Sequence, residues 1–232
     1  MDHYLVLGIL GGALALDDRA GWQSLVAQPI FISLIVGYIF GEISSGLIVG
    51  LFLELIWLAV LPMRGTRRPD QVCGAIVGSA SACFLVHTMG DPRFAFVISL
   101  GVLSGLLAGE FASRLSMPLQ HLKEQRLSRI AYLRNNEDWR PVRNLFWVHL
   151  FATAYTFFME VLVVLLFLAV GYAFSKWVSS SAGESVVKSI EHWGLLFPAF
   201  GVASLIHVYW HKHLTRFLLM STVLILVVLW TK

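Results

Sequence analysis

The chain has 232 residues, of which 57% are hydrophobic and 13% are charged, and its mean hydropathy is +0.75. Soluble domains average about 45–50% apolar and about 25% charged residues, so a soluble globular domain and a disordered chain are both excluded. The formal net charge of +3 arises from basic residues in short gaps between apolar runs. That pattern is typical of membrane topology rather than of nucleic-acid binding, and it predicts an all-α polytopic membrane protein.

Eight apolar segments follow one another along the chain, and each is a candidate membrane helix, for which roughly 20 apolar residues are needed. They cover residues 4–16, 25–41, 45–62, 72–89, 94–113, 145–174, 193–210 and 217–231. Segment 4–16 is shorter than a full span, and segment 145–174 is too long for one upright span. The expected fold therefore has about seven or eight hydrophobic segments, some of them re-entrant.

Lysine and arginine are distributed unevenly among the gaps between these segments. If every segment crosses, 13 of the 17 basic residues lie on the side of the gap 114–143, and the positive-inside rule makes that side cytoplasmic. Three parts result: a glycine-rich membrane half (1–113), a basic amphipathic cytoplasmic segment (114–144) and a C-terminal membrane half (145–232). We expect the middle part to contact anionic lipid of the bilayer, with a docking surface for a partner as the alternative.

Glycines are concentrated in the first half, where residues 1–110 hold 15 of the 19. Many recur at a spacing of four residues, which places them on one face of a helix and allows backbones to approach closely. These are Gly37 and Gly41, Gly46 and Gly50, Gly74 and Gly78, and Gly101, Gly105 and Gly109. Tight helix packing is the plain interpretation, and a moving or oligomerising bundle is the alternative.

Glu54 is an ionisable residue within an apolar run, and such a residue costs about 2.5–3.5 kcal/mol in hydrocarbon. The stretch 62–71 that follows contains two prolines, one glycine, three arginines and one acid, so it cannot be regular helix throughout. Polar groups on irregular backbone at membrane depth line cavities, and these groups suit the hydroxyls of a neutral sugar. The alternative is an ordinary cytoplasmic loop with positive-inside arginines.

Other polar residues favour structural interpretations. Glu160, midway along segment 145–174, is expected to be neutralised by burial or paired with a nearby His or Arg. Cys73 and Cys83 share one apolar segment and are expected to pack as small hydrophobic residues. The sequence contains no GxxxxGK[ST], GxSxG, HExxH or CxxC motif, so we expect no enzymatic activity of its own, no metal and no cofactor.

Taken together, these features resemble the IIC subunit of the mannose/fructose/sorbose family of the bacterial phosphotransferase system. The block 28–78 carries most of the specificity of the resemblance, which covers most of the chain. The matching residues are Gln28-Pro29, Gly37 to Gly41, Gly46 to Gly50, Leu53-Glu54 and Pro69-Asp70, and then Gln120-His121 and Gly201 to Ala203.

The resemblance implies a multi-pass subunit of the bacterial inner membrane that translocates a hexose-type sugar. It implies a IID membrane subunit as partner and cytoplasmic IIA and IIB components that carry the phosphorylated groups, and a homo-oligomer stays open. The region around Glu54 and 62–71 corresponds to the sugar-site region of the family. The predicted substrate-binding residues are Glu54 and Asp70 on the sugar hydroxyls, Gln71 beside them, and Arg64 shaping the pocket or rejecting ligands by charge.

Two departures from the family pattern keep other functions open. Pro62 replaces an asparagine, and Arg64, Arg67 and Arg68 replace small residues. The chain also stops at Lys232, roughly one membrane segment earlier than typical members. One alternative is therefore a IIC-like membrane scaffold or regulator of phosphotransferase signalling that does not transport. Another is an unrelated small transporter or assembly factor that shares only composition with the family.

Overall fold

The computed structural model describes residues 2–19, 25–58, 68–89, 94–133, 140–181 and 183–208. All regular structure in these ranges is helical, which confirms the predicted all-α class. The helices are α1 (Asp2–Arg19), α2 (Pro29–Phe40), α3 (Ile43–Trp57), α4 (Gln71–Met89), α5 (Phe94–Leu133), α6 (Arg140–Ser181) and α7 (Glu184–Val208). The predicted eighth segment, 217–231, falls beyond these ranges.

Three helices in the described part of the chain contain stretches long and apolar enough to cross a membrane. These stretches are Gln71–Met89, Phe94–Ser116 and His149–Ser181. Helices α2 and α3 have only 12 and 15 residues, and rise about 18 and about 22 Å at 1.5 Å per residue. Both are shorter than the hydrocarbon core of about 30 Å. Helices of such lengths occur as re-entrant segments and as buried core helices.

The hairpin of α2 and α3 is formed by local signals in the sequence. Pro29 begins α2, where its missing N–H costs nothing. Gly41 ends α2 in the left-handed conformation, with φ of +75°, and its N–H bonds back to carbonyls of the last turn. A Cβ atom on Gly37 would lie 2.9 Å from the backbone oxygen of Glu42. The two arms can therefore meet only because glycine occupies their contact.

Helix α4 forms the centre of the bundle, with 14 of its 19 residues buried. It contacts α1, α2, α3, α5 and α6. A Cβ atom on Gly105 would lie 2.8 Å from the carbonyl oxygen of Gly74, and one on Gly78 would lie 2.8 Å from that of Gly101. The backbones of α4 and α5 are thus in direct contact, which confirms the close packing predicted from the glycine spacing.

Helix α3 lies on α5 through three successive helical turns. A Cβ atom placed on Gly101, Gly105 or Gly109 would lie 3.0–3.2 Å from a side chain of α3. The three α3 side chains, in the same order, are Val49, Leu53 and Trp57. Each apolar side chain of α3 therefore fills the space above one glycine of α5, and the hairpin is seated on that helix.

The other helices pack around this centre. Gly12 of α1 lies against Val161 of α6, and Gly171 of α6 lies against Ser81 of α4. Gly201 of α7 lies against Leu55 of α3, where an added Cβ atom would be 3.0 Å from the backbone carbon. Glycine contacts thus join α1, α6 and α7 to the bundle as well.

Helices α5 and α6 are longer than the membrane is thick. They have 40 and 42 residues, or about 60 and about 63 Å. The basic segment predicted from residue 114 onward is helical as far as Leu133, but it continues α5 without a break. Segment 145–174, predicted to be too long for one upright span, likewise lies within one continuous helix, α6. A helix of that length must tilt in the membrane or project from it.

We predict that Gly105→Ala destabilises the protein by about 1–3 kcal/mol, the usual cost of overpacking. The added methyl group would meet the carbonyl oxygen of Gly74 at 2.8 Å, and a backbone atom cannot move aside as a side chain can. The free energy of unfolding of the purified protein in detergent measures the effect. Gly183→Ala is the matched control, since a Cβ atom there meets nothing within 4 Å. Equal stability of the two variants would contradict direct backbone contact.

Candidate functional site

Glu54 lies in the last turn of α3 and its carboxylate meets the first turn of α2. The N–H of Ile30, the second residue of α2, donates a hydrogen bond to Glu54 Oε2 at 3.4 Å. The first N–H groups of a helix have no partner within it, and the helix dipole favours an anion at this position. The half-buried acid is therefore stabilised by the N-terminus of the neighbouring helix.

Gly50 brings Glu54 within reach of that N-terminus. A Cβ atom on Gly50 would lie 2.7 Å from Ser33 Cβ and 3.0 Å from the carbonyl oxygen of Pro29. The two helices therefore touch one turn before Glu54. Ser33 also ties α2 to the central helix, because its hydroxyl donates to the carbonyl of Ala75 at 3.5 Å.

Asp70 is the N-cap of α4. Its Oδ1 accepts a hydrogen bond from the N–H of Cys73 at 3.1 Å, and its carbonyl accepts one from Gly74 at 3.0 Å. Its own N–H donates to the carbonyl of Gly109 on α5 at 2.8 Å. With 4% of its surface exposed, Asp70 stabilises the start of α4 and joins it to α5.

Gln71 and Arg64 are the other two predicted substrate-binding residues, and Arg68 lies between them in sequence. Gln71 is the first residue of α4 and is partly exposed. Arg68 is exposed, and its carbonyl accepts a hydrogen bond from the hydroxyl of Ser113 on α5. Arg64, together with Pro62 and Arg67, belongs to the stretch 59–67, which the structure does not describe.

Trp57 joins the two parts of the site, and the sequence analysis did not single it out. Its ring lies against Gly74 of α4 and Gly109 of α5, and 4% of its surface is exposed. Glu54 precedes it by one turn and Asp70 bonds to Gly109, so both acids lie at the same end of the bundle. The sequence did contain one indication of this contact. Gly109 lies four residues after Gly105, on the same helix face, and leaves space for a large side chain such as that of Trp57.

This end of the bundle combines hydrogen-bond acceptors with helix N-termini. Carboxylates accept hydrogen bonds, a carboxamide both donates and accepts, and hydroxyl groups of a ligand need both kinds of partner. Glu160, by contrast, lies on α6, where 2% of its surface is exposed. Val161 beside it contacts Gly12 of α1. Glu54, Asp70 and Gln71 therefore supply both hydrogen-bond acceptors and a donor at this end of the bundle.

The fold is that of a polytopic membrane protein, and it is shared by a solved structure described as "Structure of membrane protein". The two agree with a TM-score of 0.68 at 15% sequence identity, over 95% of this chain and 83% of the other. The model of the family described as the phosphotransferase system sorbose-specific IIC component matches residues 3–230. The chain belongs to this family of bacterial inner-membrane proteins, which confirms the predicted resemblance and location.

A curated relative is similar over a shorter region. It is the "Putative N-acetylgalactosamine permease IIC component 2" of Escherichia coli (strain K12), with 33% identity over 76 residues. The matched region is 33% of this chain and 56% of the relative. The chain thus spans about half the length of that relative.

We predict that Asp70→Ala lowers the free energy of unfolding by about 0.5–2 kcal/mol, the usual cost of losing an N-cap. Asp70→Asn is the matched control, because asparagine caps helices about as well as aspartate. Chemical or thermal unfolding in detergent compares the two variants with the unchanged protein. A loss of stability in the asparagine variant as large as that in the alanine variant would contradict capping as the structural role.

Proposed function

We propose that this chain is the sugar-translocating IIC subunit of a phosphotransferase system of the mannose/fructose/sorbose type. The observation that carries the proposal is the match of the sorbose-specific IIC family across residues 3–230. The relative named as a permease component supports the same function. The proposed substrate is a hexose-type sugar.

The proposed sugar site is the open end of the hairpin, where the first turn of α2 meets the last turn of α3 at Ile30 and Glu54. Glu54 there accepts hydrogen bonds from sugar hydroxyls, because its 3.4 Å bond to Ile30 is long and easily exchanged for a ligand bond. Asp70 and Gln71 contribute from the start of α4, and Arg64 limits the size and charge of the ligand. Hydrogen bonding to a sugar needs no nucleophilic side chain in this subunit.

The partners follow from the same proposal. A IID membrane subunit completes the translocating complex with this chain. Cytoplasmic IIA and IIB components carry the phosphoryl groups and phosphorylate the sugar as it enters. The module of α2 to α5, held together by backbone contacts at glycine, moves as one body to give alternating access.

Pro62, Arg64 and Arg67 favour a second candidate function. These residues, with Arg68, change the size, charge and hydrogen-bonding pattern expected of a sugar pocket. A chain altered in this way serves as a membrane scaffold or regulator of phosphotransferase signalling without transporting sugar. Uptake measurements separate the two candidates directly.

The first prediction from this proposal concerns uptake of radiolabelled mannose, fructose, sorbose and amino sugars. Cells that express the chain with its IID, IIA and IIB partners should accumulate at least one of these sugars. Cells that lack either membrane subunit should not, because each supplies part of the pathway. Identical uptake with and without the chain for every sugar would contradict transport of these sugars and favour the scaffold.

The second prediction concerns Glu54→Gln in the complete complex. Losing a hydrogen bond to a charged group costs about 1.5–3 kcal/mol, so the apparent affinity for the sugar should fall by roughly tenfold to a hundredfold. Glu110→Gln is the matched control, because the side chain of Glu110 is partly exposed and forms an i,i+4 pair with Arg114 at 3.2 Å, which contributes little. Unchanged sugar affinity of the Glu54 variant in an active complex would remove Glu54 from the site.

A further inference from the structure

The closed end of the hairpin is the turn between α2 and α3, from Phe40 to Glu42. Polar contacts attach it to the last turns of α4. His87 Nε2 lies 3.1 Å from the carbonyl oxygen of Phe40, the last residue of α2. Its other ring nitrogen, Nδ1, lies 3.9 Å from the carboxylate oxygen Oε1 of Glu42. The thiol of Cys83, one turn earlier on α4, donates to the carbonyl of Glu42 at 3.9 Å. One imidazole therefore faces two residues of the hairpin turn.

Both partners of the His87 ring are hydrogen-bond acceptors. A carbonyl oxygen can only accept, so Nε2 must carry the hydrogen. In a neutral ring Nδ1 then presents a lone pair to the negative carboxylate of Glu42, which is unfavourable. A protonated ring has an N–H at both positions. Protonation therefore keeps the bond to Phe40 and turns the contact with Glu42 into an ion pair.

The cluster can exchange protons with its surroundings. The side chain of His87 is 53% exposed and that of Glu42 is 26% exposed. The ring of His3 on α1 lies 5.8 Å from that of Phe40, centroid to centroid, at a tilt of 38°. Besides Cys83, the nearby titratable groups are Tyr4 of α1 and Tyr172 of α6, which line a small cavity with Phe40. Of these groups, only Glu42 has a carboxyl group.

We propose that His87 is a positioning residue that fastens the closed end of the hairpin to α4, more firmly when its ring is protonated. The consequence for transport rests on the proposed function, since the sugar site is assigned to the opposite end of the same hairpin. The α3 arm is seated on α5 along three turns, so a change at one end is passed to the other. Sugar affinity is then sensitive to pH through His87.

Labelling of Cys83 tests the attachment without any transport. The chain has two cysteines, both buried, so Cys73→Ala leaves Cys83 as the single thiol. Maleimide reaches Cys83 only when the hairpin end separates from α4. His87→Gln supplies the matched comparison, because its amide can still donate to Phe40 but cannot be protonated. The labelling rate of the Cys73→Ala protein with His87→Gln is divided by that of the Cys73→Ala protein alone at each pH. The general rise of maleimide reactivity with pH is common to both and drops out of this ratio.

We expect labelling of the His87→Gln protein to exceed that of the parent by about two- to fivefold at pH 5.5, the effect of a partly exposed ion pair. The ratio should fall to about one at pH 8. In a Glu42→Gln background, His87→Gln should change labelling at pH 5.5 much less, because the other half of the ion pair is already missing. This comparison keeps the charge beside the Cys83 thiol the same in both proteins. A ratio that stays constant from pH 5.5 to 8, or an equally large effect of His87→Gln in the Glu42→Gln background, would overturn the proposal.

Uptake in the complete complex tests the consequence for the sugar site. The KM of the parent should change between pH 5.5 and 8, and that of His87→Gln should change less. The same pH profile in both would overturn the positioning role. Absence of uptake in every protein, parent included, would instead count against the proposed function, and the labelling ratio would still decide the attachment.

Discussion

Direct backbone contact between α4 and α5 is the constraint on which the rest of the structure depends. Glycines at 74 and 78 of one helix meet glycines at 101 and 105 of the other, so no side chain separates the axes. In a membrane, lipid is as apolar as leucine, and close packing of this kind replaces the hydrophobic effect as the source of association. Only at this separation can Asp70 donate its N–H to Gly109.

The hairpin of α2 and α3 also packs on the glycines of α5. Its α3 arm covers the glycines of α5 with Val49, Leu53 and Trp57, and it therefore has an apolar middle. Its charged side chains make their contacts at the two ends, with Glu54 on Ile30 at one and Glu42 beside His87 at the other. A short apolar hairpin with polar ends is suited to binding a polar ligand inside a membrane, because irregular backbone and charge there must be buried in protein or line a cavity.

Residues with a local sequence pattern were predicted correctly, whereas contacts between distant helices were not. The four-residue glycine spacing correctly predicted close helix packing, and Pro29 and Gly41 mark the bounds of α2. Asp70 is predicted to bind sugar hydroxyls, and the structure adds a role that the sequence did not indicate, because Asp70 caps α4 and bonds to Gly109 of α5. Trp57 was not selected, since an aromatic residue in an apolar run has no distinctive pattern.

The sequence by itself determined the membrane class and the approximate positions of most helices in the described part of the chain, because hydropathy is a local property. It indicated the family through the resemblance carried mainly by residues 28–78. Only the tertiary structure decided which polar atoms meet. Glu54 and Ile30 are 24 residues apart, and His87 and Phe40 are 47 apart. Such pairs form because glycine allows the helices to approach, and the register of that approach is set by the whole bundle rather than by any segment.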